Sequence, residues 1–190
     1  YEQIDILEKF FKDLKTEKNF IFIDPVMGDN GKLYTGFNQE FATRMKELCS
    51  KADIIVPNLT EVSYMLQTEY KEKYSEEEIK ELLIKLSNLG PKRVVITGVS
   101  FKENELGVMS YNKETNEFFK YFKERIDVKS HGTGDVFSST LLGALVNDLS
   151  LEESLKVATD YVWECIKLTY DEKKENAYGV EFEKVLHKLM

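Results

Sequence analysis

Apolar positions recur along the chain with two different periods, and their alternation predicts the order of elements. From Glu2 to Leu14 the residues Ile4, Ile6, Leu7, Phe10, Phe11 and Leu14 follow helical spacing. Asn19 to Asp24 is a short, nearly unbroken apolar run, as expected of a strand buried on both faces, and Pro25 stops it. Residues 28–36 are rich in turn formers and predict a loop. Asn38 reads as the cap of a helix reaching about Ser50, with Phe41, Met45 and Leu48 in one stripe. Asp53 to Val56 is a second buried strand, stopped by Pro57, and a short helix follows to about Leu66. Ser75 with Glu78 makes a capping-box pattern for a helix that runs to Leu89 and ends at Gly90-Pro91. Arg93 to Thr97 is a third strand.

The pattern then changes. Gly107–Tyr111 and Glu117–Phe122 read as two strands of a hairpin joined through Asn112 to Asn116, and Ile126 to Val128 as a last strand. A long apolar helix starts at Thr133 or Gly134 and continues through Leu145; another runs from Leu151 to Tyr170, and a terminal helix from about Val180. Non-alternating strands interleaved with helices predict an α/β fold, a mostly parallel sheet covered on both faces, in a single domain over residues 1–190. The chain opens at Tyr1 directly on a helix, which reads either as a fold lacking its opening units or as a processed or tagged start.

Composition narrows the classes of function. The chain has 190 residues, 42% of them hydrophobic, enough for a sizeable core. A net charge of -8 without any basic block argues against nucleic acid or a membrane surface as partner. Cys49 and Cys165 stand alone, with no CxxC and no paired His, so neither a disulfide framework nor a zinc site is expected. No apolar run approaches the ~20 residues that span a bilayer, and no signal-like segment opens the chain, so a cytoplasmic location is the expectation.

Candidate chemistry sits where predicted strands and helices meet. Gly132-Thr133-Gly134-Asp135 enters a long helix, where glycines admit close approach of an anion and free N–H groups point at it. Asp135, inside the positive end of that helix, suits the base that takes a proton from an attacking hydroxyl; the plainer alternative is a helix cap with a tight turn. The phosphate-loop pattern GxxxxGK[ST] is absent, and Phe137 stands where a dinucleotide fingerprint needs its third glycine. Asp24-Pro25-Val26-Met27-Gly28-Asp29 follows a buried strand, and paired acids beside a polyphosphate imply Mg²⁺; Asp29-Asn30-Gly31 is alternatively only a turn. In Pro57-Asn58-Leu59-Thr60-Glu61, Glu61 is either a second magnesium carboxylate or a first-turn acid, and Asn58 either a phosphate or metal-water ligand or a cap. Thr97-Gly98 follows the third strand and either offers a hydroxyl to phosphate or is only a strand-ending turn. Segments 24–31, 57–61 and 131–139 contain no Lys or Arg, so an anionic nucleotide bound there needs backbone amides, a helix dipole and metal ions, which favours a Mg-nucleotide over a free anion.

Taken in order, Asp-Pro-Val-Met-Gly-Asp, Leu33-Tyr34, Pro-Asn-x-x-Glu, Val-Ile-Thr and Gly-Thr-Gly-Asp resemble the pyridoxal/pyridoxamine kinase branch of the ribokinase-like kinases. The resemblance implies a three-layer ribokinase-like fold lacking its N-terminal strand–helix units, and ATP-dependent phosphorylation of the 5'-hydroxymethyl group of a B6 vitamer. It makes Asp135 the base, with Gly132, Thr133 and Gly134 holding the transferring phosphoryl group. Asp24, Asp29, Asn58, Glu61 and Thr97 would surround Mg-ATP, with Asp24 and Glu61 meeting the metal through water and Tyr34 on a loop closing over the phosphates. Val56 stands where some relatives carry Thr near a monovalent cation, which leaves that cation open, and Gly98 where some carry Ser. A homodimer is also implied. The rival kinase is a hydroxymethylpyrimidine kinase, whose glycine turn more usually ends in Cys; a sugar or nucleoside kinase shares the Gly-x-Gly-Asp turn but less of the rest. A non-catalytic nucleotide-binding fragment is the alternative from another class. Much of the vitamin pocket in this family comes from the opening units, so the isolated chain is expected to be a poor catalyst.

Overall fold

The computed structural model describes residues 2–128, 131–172 and 179–189. The chain divides into two compact units, Tyr1–Phe101 with Met109–Lys120 and Lys102–Val108 with Tyr121–Met190.

The first unit begins with α1 (Glu2–Leu14), β1 (Phe22–Ile23), a small antiparallel ribbon of β2 (Gly28–Asp29) and β3 (Lys32–Leu33), and α2 (Gln39–Cys49). It continues through β4 (Ile54–Ile55), α3 (Leu59–Leu66), α4 (Glu76–Ser87) and β5 (Arg93–Val99). β6 (Glu105–Asn112) and β7 (Glu117–Glu124) each contribute to both units. The main sheet has the order β1-β4-β5-β6-β7. β1 and β4 are parallel with Phe22 opposite Ile54, and β4 and β5 are parallel with Ile54 opposite Arg93. Parallel neighbours need long crossovers, which α2 supplies between β1 and β4, and α3 with α4 between β4 and β5. The links into β6 and β7 are too short for a crossover, so those strands run antiparallel and the sheet is mixed. The α/β architecture is thus the expected one.

Burial explains which residues set these elements. Ile54 and Ile55 of β4, Val94, Val95 and Ile96 of β5, and Leu48, Val62, Met65, Ile79, Leu83 and Leu86 from the helices are all buried. Asn38 caps α2 by accepting from the Phe41 N–H at 2.9 Å, and Ser75 and Glu78 close a full capping box on α4. In the second unit α5 (Thr133–Val146) packs against α6 (Leu151–Asp171), burying Phe137 and Leu141 beside Leu155, Ala158 and Tyr161. A closing 3-10 helix (Glu183–Leu189) contributes Val185 to a cluster with Tyr161, Cys165 and Val180.

Five expectations change. The runs at 19–24 and 53–56 form strands of only two residues each. Residues 28–36 contain the β2–β3 ribbon, and α4 stops at Ser87, short of Leu89. Ile126 to Val128 is not a strand: the Val128 N–H closes onto the Ile126 carbonyl at 2.9 Å, bending the segment onto itself. The helix expected from Val180 begins at Glu183 and is 3-10. Among the described residues no helix is long and apolar enough to cross a membrane.

Candidate active site

Where β1 and β4 end, the chain makes two turns that are laced together. After Ile23 the backbone passes through Asp24 and Pro25 to Met27, whose N–H donates to Glu61 Oε1 at 3.2 Å. The other oxygen, Glu61 Oε2, accepts from the Asn58 N–H at 2.8 Å, while the Glu61 N–H donates to Asn58 Oδ1 at 3.0 Å. That reciprocal pair is a capping box on α3. Asn58 then spends its amide on the Gly28 carbonyl at 2.8 Å, tying the start of α3 to β2. Thr97 lies alongside: its N–H donates to the Pro57 carbonyl at 3.0 Å, and an isolated bridge pairs it with Asn58. The structure therefore brings Asp24, Asn58, Glu61 and Thr97 into one neighbourhood.

Glu61 is only 3% exposed. Burial pushes its carboxyl up to about 8, with the negative charge of Asp24 adding to the rise and N–H groups of Asn58, Met27 and Gly28 working against it. Cys49, at the end of α2, is buried in the same region; burial and the charges of Glu61 and Asp24 raise its thiol well above the usual range. The position of Cys49 beside two acids was not legible in sequence, because they lie on different elements.

The donor set can be tested against magnesium directly. Asp24 and Glu61 offer hard carboxylate oxygens close enough to oppose each other's charge, in segments with no basic side chain. Both Glu61 oxygens already accept backbone N–H groups. Among the described residues no three His, Cys, Asp or Glu side chains cluster tightly enough to cage an ion. The residues fit an ion held through its water shell and do not fit direct ligation by a protein cage.

Two other candidates in this unit are more exposed. Asp29 accepts from the Asn30 N–H at 2.8 Å and from its side-chain amide at 2.7 Å, so the turn reading describes its present bonds. Tyr34 is exposed, its N–H held by the Met27 carbonyl at 2.9 Å.

The glycine turn belongs to the second unit. Gly132 occupies the cap position of α5 at φ 78°, a left-handed conformation that favours glycine, and no side-chain cap bond closes the helix start. Asp135 is in the first turn of α5, and Gly132, Gly134 and Asp135 are exposed. A side chain added at either glycine would meet nothing within 4 Å, so space at the turn is open. The Val180 N–H donates to the His131 carbonyl at 3.3 Å and steadies the approach to the turn. The geometry of a glycine cap with a tight turn is therefore present, and it leaves the helix start open.

A family model described as phosphomethylpyrimidine kinase matches residues 2–179. The chain belongs to the phosphomethylpyrimidine kinase family. Within it, the chain is similar to the hydroxymethylpyrimidine/phosphomethylpyrimidine kinase of Aquifex aeolicus, 31% identical over 86% of this chain and 63% of that protein. It is as similar to the pyridoxine kinase of Bacillus subtilis, 32% identical over 88% of this chain and 61% of that protein. Among solved structures, one from Bacteroides thetaiotaomicron, provisionally assigned as a phosphomethylpyrimidine kinase and crystallised with pyridoxal, superposes with a TM-score of 0.93 at 40% identity. That match covers 98% of this chain and 66% of the other. The chain thus spans less than two thirds of the length of these curated relatives. Kinases of pyrimidine and of B6 substrates match equally well, so membership fixes a kinase family and not its acceptor.

Proposed function

We propose that this chain is the nucleotide-binding portion of a kinase that transfers the γ-phosphoryl group of ATP to the 5'-hydroxymethyl group of pyridoxal, pyridoxamine or pyridoxine. The observation that carries this reading is the left-handed Gly132 opening α5 with no side-chain cap, and Asp135 in that helix's first turn. Free N–H groups at Gly132 to Gly134 suit the transferring phosphoryl group, and Asp135 suits the base that accepts the hydroxyl proton. Asp24 and Glu61 would hold Mg²⁺ through water, and Asn58, Thr97, Asp29 and Tyr34 would serve the nucleotide. Magnesium, when bound, offsets the charge of the phosphates. The kinase is expected to be a cytoplasmic homodimer.

The neighbour crystallised with pyridoxal supports a B6 acceptor. A pyrimidine acceptor is the second reading, favoured by the family description and the Aquifex relative. Two measurements test the proposal. Calorimetry of this chain should give ATP binding that requires magnesium; binding indifferent to magnesium contradicts it. ADP release by the complete protein should be faster with a B6 vitamer than with hydroxymethylpyrimidine, and the reverse order selects the second reading. The isolated chain is expected to turn over poorly with either.

A further inference from the structure

The β2–β3 ribbon is fastened to α3 by bonds that the proposed reaction leaves unexplained. Its turn places both Asn30 and Gly31 in the left-handed region, at φ 51° and 75°, as a two-residue hairpin turn requires. Both backbone groups of Gly31 are bound by side chains of α3. Its N–H donates to Thr60 Oγ1 at 2.9 Å, and its carbonyl accepts from the Tyr64 hydroxyl at 3.4 Å. The Tyr70 ring lies against the same residue, so that a Cβ there would come within 2.8 Å of it. At the far side of β2, Asn58 holds the Gly28 carbonyl. Thr60 is 2% exposed and sits next to Glu61, yet its hydroxyl is aimed at the hairpin turn.

We propose that Thr60 is a positioning residue for nucleotide binding, its hydroxyl fixing the hairpin that carries Asp29 and leads into Tyr34. The inference rests on the proposed function, in which those two residues serve the nucleotide. A buried hydroxyl accepting one backbone N–H sets the turn's distance from α3. Losing that acceptor leaves the Gly31 N–H without its partner and lets the ribbon drift from the helix.

Thr60→Val and Thr60→Ser separate a positioning role from a merely structural one, measured on this chain by amide exchange at Gly31 and by calorimetry with Mg-ATP. Thr60→Val should speed Gly31 exchange and weaken Mg-ATP by about three- to tenfold, the net worth of one hydrogen bond, whereas Thr60→Ser should restore both. Gly31→Ala, which presses on Tyr70 and leaves α3 intact, should weaken Mg-ATP likewise. A folded Thr60→Val with wild-type affinity overturns the proposal. So does unaltered affinity in Gly31→Ala, which decides the matter even where Thr60→Val fails to fold. Absence of Mg-ATP binding by the wild-type chain overturns the proposed function and this inference together, and is seen before any substitution is made.

Discussion

Glu61 shows how one side chain can be both a structural clasp and a candidate ligand. Its two oxygens fasten Asn58 and Met27, and its burial beside Asp24 raises the carboxyl from 4.5 to about 8. A proton therefore binds the folded chain more tightly than the unfolded one. The stabilisation from that proton is fully present below about pH 4.5 and is lost as pH rises through about 8. In metal-free buffer the melting temperature of wild type should fall relative to Glu61→Gln between pH 5 and pH 9. The slope is the diagnostic quantity, because Gln offers one acceptor oxygen where Glu offers two. Parallel curves for the two proteins would contradict the raised carboxyl. The sequence alternatives at this segment, cap or ligand, do not exclude each other: Asn58 and Glu61 cap α3, and Glu61 also stands close enough to Asp24 to feel its charge. Asp29 differs, since its carboxylate oxygens accept from its neighbour Asn30.

Helices were legible because their signals are local. α1 has the bounds its apolar spacing predicts, and Asn38 and Ser75 cap as read. A Ser150–Glu153 box on α6 carries the same local signal. Strand limits were less legible, since a parallel ladder is bounded by where its partner ends; β1 and β4 pair over two residues despite longer apolar runs. The β2–β3 ribbon escaped because Gly28, Asp29, Lys32 and Leu33 show no apolar alternation, although Asn30-Gly31 is a strong turn signal. Two caps give a paired prediction. Ser75→Ala should cost about 1 kcal/mol in chemical denaturation without changing Mg-ATP affinity. Asn58→Ala also loses the bond to Gly28 and should cost about 2 kcal/mol while weakening Mg-ATP. Equal effects on nucleotide binding would remove Asn58 from the site.

At the scale of the molecule, β1 lies at the end of the strand order and α1 leaves apolar side chains in water. Ile6, Leu7, Phe10 and Leu14 are 42–61% exposed and share one side of that helix, an apolar stripe of the kind that promotes association. Phe10→Lys with Leu14→Lys should lower self-association of the isolated chain, read by light scattering; unchanged scattering would show that the stripe is not responsible. The central claim is that Asp135 acts as the base of a phosphoryl transfer. Its most direct test is steady-state turnover of the complete protein carrying Asp135→Asn. Turnover should fall by about 10²–10⁴-fold while Mg-ATP affinity stays within about threefold, since only the proton acceptor is removed. Turnover equal to wild type would contradict the account.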